Sequence, residues 1–307
     1  MRAAATARQS VDSSRVLSVE LGERGGGVRA EIDRAIAANE VEELVRALAE
    51  ERSSGIRFAA QRIVDTALQD GVLLERTTEL AQRPEPSARQ LAAILCAHVY
   101  AEAPDPALDL VVGLIDDEEA SVRDAAAESA GRLLDAEFAH VFPRLERWRD
   151  GSSSSVRRAV LVAAAGAARR ERTERADPLL RLIAPLLNDR DPLVRRSLGP
   201  SAVAALLQHY PTLTFEHLVQ WSTSNDEQVL WNVAMAFTSP AAADVAKKAL
   251  IVLRKLSLDE RRYVWRAVAT AMWKLGRKRP DVVRPELARW LEDEERVDVA
   301  RAALTHL

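Results

Sequence analysis

The sequence predicts an all-α protein, an α-solenoid of about eight stacked helix pairs, and three observations lead there. Hydrophobic residues make up 48% of the 307-residue chain but aromatics only 5%, so the core is built from Ala, Leu and Val, which suits close helix packing. Strand-rich chains lean on aromatic and β-branched residues instead, and the 12 glycines and 13 prolines are few for many short strands. Third, a short signature recurs along the chain at near-constant spacing, which is the mark of a repeat architecture.

The signature is an apolar residue, usually followed by Arg and then by small or apolar residues. It appears as Ile56-Arg-Phe-Ala-Ala, Ala88-Arg-Gln-Leu-Ala, Val122-Arg-Asp-Ala-Ala and Val156-Arg-Arg-Ala-Val. It continues as Val194-Arg-Arg-Ser-Leu, Val229-Leu-Trp-Asn-Val, Val264-Trp-Arg-Ala-Val and Val297-Asp-Val-Ala-Arg. The intervals are 32, 34, 34, 38, 35, 35 and 33 residues. Each signature opens a helix with one apolar stripe, as Val264, Val268, Ala271 and Leu275 show. The eight signature residues are therefore expected in the core. A second apolar segment precedes each signature, for instance residues 107–115 and 179–187. Between the two helices lies a polar turn, as in 116–121, 188–192 and 222–226, where Asp and Asn suit the turn and cap the next helix. Pro192 fits the first turn of its helix. One pair cannot bury its stripe alone, whereas stacked pairs bury it continuously.

The stretches Asp116-Asp-Glu-Glu-Ala-Ser-Val-Arg123 and Asn188-Asp-Arg-Asp-Pro-Leu-Val-Arg195 resemble the inter-helix turn and second-helix start of HEAT repeats. That resemblance covers about residues 40–307 and implies a HEAT-like binding scaffold, armadillo-like in class, acting along its concave face. Residues 1–39 stand outside the array as a flexible lead-in, with Ser10–Ser14 and the Gly25-Gly-Gly27 triplet. The triplet lacks the following Gly-Lys-Ser/Thr of a phosphate-cradling loop. Asp150-Gly-Ser-Ser-Ser-Ser155 reads as a linker-like turn, and the mixed-sign run Arg169–Arg175 as a solvated connection.

The formal net charge of −3 hides an asymmetry. Residues 156–290 hold 23 Lys/Arg against 13 Asp/Glu, a basic C-terminal half that suits an anionic partner or an Arg-rich solvated surface. The same half carries a longer pattern. Val194-Arg-Arg-Ser-Leu-Gly, His209-Tyr-Pro211 and Phe215–Trp221 are echoed by Val264-Trp-Arg-Ala-Val-Ala, Lys278-Arg-Pro280 and Arg284–Trp290. With the closing Ala302–Leu307, this arrangement over about 185–307 resembles the HEAT-like bacterial alkylpurine DNA glycosylases of the DNA alkylation repair family. The resemblance implies DNA binding on the concave face through basic residues of the second helices. It also implies that base excision would need a carboxylate and aromatic side chains beside an extruded nucleotide. That family tends to carry a tryptophan near the position of Thr270, and its paired-tryptophan-plus-aspartate stretch has no counterpart here. These departures count against catalysis, and no catalytic residue is assigned.

Candidate binding residues follow from the same helices: Arg158, Arg196, Arg266, Trp273, Lys274, Arg277, Lys278 and Arg279. Arg266, Thr270, Trp273 and Arg277 share one helical face apart from the core stripe. Trp273 there is either a stacking platform or a packing residue against the neighbouring repeat. Lys274 to Arg279 also suit the negative end of their helix. Arg57, Arg123, Arg157 and Arg195, directly after the signature residue, are expected to pair with acids of the adjacent inter-helix turn. The second arginines, Arg158 and Arg196, are freer to meet phosphate. Trp148, Trp221 and Trp290 each end a first helix in register and read as inter-repeat packing.

Other chemistry is not signalled. The five histidines lack metal-ligand spacing, the single Cys96 sits in an apolar run as a core thiol, and there is no hydrolase elbow or Walker loop. No cofactor or metal is expected, and Glu292–Glu295 reads as a capped or solvated turn. No stretch approaches the roughly 20 apolar residues that span a bilayer. The N-terminus lacks an apolar leader. The expected setting is cytoplasmic, with a protein or DNA as partner, and a binding scaffold is expected ahead of an enzyme.

Overall fold

The computed structural model describes residues 27–49, 51, 53–67 and 72–307, and these fall into two compact units that divide after Ala126. In the first unit, α1 (27–38) precedes three helix pairs. These are α2 (Val41–Leu48) with α3 (Ser53–Ala67), α4 (Leu73–Ala81) with α5 (Pro86–Val99), and α6 (Pro104–Ile115) with the opening of α7 (Ala120–Ala136). The unit boundary falls inside α7. Helix α1 occupies part of the expected lead-in, and its Ile32, Ala35 and Ile36 are buried. The earlier residues of that lead-in lie outside the described ones.

The second unit continues with α8 (Phe138–Arg149), α9 (Ser154–Gly166), α10 (Ala176–Ile183), α11 (Pro192–Ser197) and α12 (Ala204–His209). It ends with α13 (Pro211–Trp221), α14 (Glu227–Ala236), α15 (Ala246–Leu256), α16 (Arg262–Lys278), α17 (Pro280–Leu291) and α18 (Val297–Leu304). Its first helices α8, α10, α13, α15 and α17 form one layer. The second helices α9, α11–α12, α14, α16 and α18 pack in succession as the other. Among the described residues there is no strand, and both units are built as the all-α solenoid class requires.

Local chemistry sets the helix starts. Pro86, Pro104, Pro192, Pro211 and Pro280 occupy first turns, where the missing N–H costs nothing. Ser153 accepts from the Val156 N–H, Asp191 from Leu193, and Asp226 from both Gln228 and Val229. Six signature residues are buried: Ile56, Ala88, Val122, Val156, Val194 and Val264. Val229 and Val297 are only half-buried, contrary to expectation. In α14 the buried stripe runs one residue later, through Leu230, Val233, Ala234 and Phe237, and in α18 through Val299, Ala300 and Ala303. The stripe, rather than the letter pattern, decides which side turns inward.

Helices α11 and α12 are joined by a π-helical stretch, Leu198–Val203. Pro200 removes an N–H from the ladder. Gly199 lies so close to α14 that an added Cβ would stand 2.5 Å from the Asn232 carbonyl oxygen. The Gly199 N–H donates to Asn232 Oδ1 at 3.3 Å, and Asn232 Nδ2 donates to the Leu187 carbonyl at 2.8 Å.

Candidate functional site

The arginines that follow the signature residue divide by partner. In the first unit Arg89 forks onto Asp117 at 2.7 and 3.1 Å and donates to the Pro84 carbonyl at 2.6 Å. In the second, Arg157 pairs with Asp189 at 2.7 Å in the same way. Arg123 donates to the turn carbonyls of Asp117 and Glu118 at 2.7 and 2.6 Å. Arg57 is exposed. Arg195 departs from the expectation: its guanidinium carbon sits 5.8 Å from both the Trp231 and the Tyr263 ring centres, and those rings stack at 5.7 Å. The acid of its next turn, Asp226, is already used as the α14 cap and as a partner of Arg190 at 3.1 Å. Tyr263 donates to Gln228 Oε1 at 2.8 Å, and burial pushes its hydroxyl pKa up.

The run 169–175 is more firmly held than its polar letters suggest. Arg175 is buried, bonds Asp135 at 2.8 Å, and lies 4.9 Å from the Phe138 ring centre. Of the register tryptophans, Trp221 and Trp290 are buried and Trp148 half-buried. The indole N–H of Trp290 donates to Glu286 at 2.8 Å. In the acidic turn 292–295, Asp293 accepts from the Glu295 N–H at 3.0 Å and pairs with Arg296, while α18 has no side-chain cap.

The candidate binding residues all belong to the second unit. Arg158 stands half-buried on α9 with partners of its own, and Arg196 is exposed on α11. Five lie on α16, whose 17 residues carry Arg262, Arg266, Lys274, Arg277 and Lys278 and no acid. All five basic side chains are exposed, and among the described residues none has a carboxylate partner. Lys274, Arg277 and Lys278 also sit at the helix end that favours cations. Arg279 is different: it grips Asp281 at 2.8 and 3.0 Å and donates to the Ala243 carbonyl at 3.1 Å, so it holds the α16–α17 corner.

Trp273 is half-buried, not an open platform. The His306 ring covers it at 5.2 Å with a 52° tilt, and its indole nitrogen is buried without a partner. His306 was not among the sequence candidates, because nothing in its local letters tells that the segment after α18 returns over α16. Next to it, Arg266, Thr270, Thr305 and His306 line a groove between α16 and α18. Among the described residues no group of three or more His, Cys, Asp or Glu could hold a metal ion. Cys96 is buried in α5, and no helix there is long and apolar enough to cross a membrane.

The sequence model described as DNA alkylation repair enzyme matches residues 28–201, more than half of the chain. The chain belongs to the DNA alkylation repair enzyme family. The family match runs from α1 to the π-helical stretch, so it overlaps little with residues 185–307, where the motif resemblance is carried. No curated protein matches the chain. Among solved structures, smu.31 from Streptococcus mutans UA159 is 17% identical, covering 67% of this chain and 97% of its own, with a TM-score of 0.49. YIBA_ECOLI of Escherichia coli is 18% identical over 92% of this chain and 95% of its own, with a TM-score of 0.43. A designed armadillo repeat protein in complex with a (KR)4 peptide is 16% identical over 76% and 98%, with a TM-score of 0.28.

Proposed function

We propose that this member of the DNA alkylation repair family binds DNA with the open side of the second-helix layer in residues 127–307. The observation that carries the reading is α16, a helix with five exposed basic side chains, no acid and no internal neutralisation. By contrast, Arg157 is offset by Asp189 and Arg254 by Glu286. Charges left unpaired on one helix raise the local potential and attract a polyanion. The family match favours nucleic acid over a general protein scaffold. Arg196, Arg266, Lys274, Arg277 and Lys278 are the contacts we assign. Fluorescence anisotropy with labelled duplex at low salt tests this. Absence of affinity at micromolar protein would remove DNA and pass the face to an acidic protein partner.

Excision of an alkylated base is a separate question. It would need an uncovered aromatic face and a carboxylate beside the extruded nucleotide, yet on α16 the position of Thr270 offers no ring and Trp273 is covered by His306. We expect DNA to be held without efficient base release. Liberation of a methylated purine from alkylated DNA far above the spontaneous rate would make the protein an enzyme and overturn that part.

A further inference from the structure

We propose that the groove between α16 and α18 is a phosphate-binding site; it rests on the DNA reading only where DNA supplies the phosphate. The groove is open to solvent and offers about 390 Å³, room for on the order of ten waters, and so for a phosphate with part of its sugar. Arg266 stands on one wall and His306 on the other, and Ala269 and Ala302 keep the space between them open. No carboxylate lines it. The guanidinium lies 5.9 Å from the Trp265 ring centre and has no acid partner among the described residues, so it can offer paired donors to an oxyanion.

Two hydroxyls complete the walls. Thr270 Oγ1 donates to the Arg266 carbonyl at 2.9 Å and Thr305 Oγ1 to the Arg301 carbonyl at 2.9 Å. Each can turn that proton toward an incoming phosphate oxygen by rotating about one bond. The imidazole packs against Trp273 at 5.2 Å with a 52° tilt and lines the groove. Lys274, exposed on the same helix as Arg266, adds positive charge to it. The chemistry selects a phosphate group, from the nucleic-acid backbone or from free phosphate.

The test is proton NMR of the His306 ring, assigned by its loss in His306→Ala, during titration with inorganic phosphate and, separately, chloride at equal ionic strength. The proposal expects a saturable shift with phosphate that chloride does not reproduce. Arg266→Ala should weaken it about tenfold, the loss of one charge-assisted contact. Arg266→Lys should keep part of it, and Lys255→Ala on α15 should change nothing. No saturable shift beyond the chloride response would overturn the site, even if duplex DNA binds. If saturating duplex abolishes the phosphate shift, the backbone is the source. If duplex has no affinity but the shift persists, the groove stands for free phosphate and the DNA reading falls.

Discussion

A carboxylate almost wholly shielded from water, such as Glu286, persists only where donors surround it. Arg254 grips it from α15, and the Trp290 N–H at 2.8 Å and Arg289 at 3.2 Å complete the shell. The Arg254 guanidinium, helped by Trp290, holds its pKa below the usual carboxylate range, against the burial that pushes it up. Because the folded pKa is lowered, this contribution is full above the ordinary glutamate pKa and is lost as pH falls through the folded value. Glu286→Gln should cost about 2–4 kcal/mol, somewhat under a fully buried pair because Arg254 reaches solvent. It should also flatten the acid limb of a plot of Tm against pH. A variant as stable as the wild type, with an unchanged acid limb, would contradict this account. Asp117 is lowered likewise: its bonds from Arg89 and the Glu119 N–H outweigh the burial that raises it.

At the scale of elements, the α11–α12 stretch with its π-helical link depends on one buried amide. Asn232 ties the Leu187 carbonyl to the Gly199 N–H, and Gly199 gives α14 its close approach. Asn232→Leu would leave both groups without a partner and should cost about 2–3 kcal/mol. Gly199→Ala should cost about 1–3 kcal/mol by forcing the backbones apart. The two sites touch, so the double variant should cost less than the sum. Urea denaturation followed by circular dichroism gives all three values. Additive costs would show that the amide and the close approach act separately.

At the scale of the whole molecule, the proposed DNA binding rests on the basic half. If the open side of α16 meets phosphates, each neutralised phosphate releases condensed counterions and affinity falls steeply with salt. Replacing Arg266 and Arg277 together with Ala should lower the slope of log affinity against log salt by about two and weaken binding alike for different sequences. Replacing Arg279 should instead loosen the α16–α17 corner with little change in slope, because Asp281 already neutralises it. A double variant that keeps the wild-type slope would place the contacts elsewhere.

The eight signatures, the proline and aspartate helix starts and the basic half were all legible in the letters, because helical period, capping and charge are local properties. Arg157 could be assigned to a structural pair for the same reason: the next inter-helix turn carries the acid it needs. Three features depended on packing. Arg195 found rings where Arg157 found an acid, since Asp226 was consumed by a helix cap and by Arg190. Trp273 shares a helical face with Arg266, but a segment more than thirty residues away covers it through His306. The stripes of α14 and α18 turned one and two residues from the pattern. Sequence determined the repeat and the sign of its charge through short-range rules. Only the tertiary structure decided which charges are spent, because a partner's identity depends on which residues the fold brings within a few ångströms.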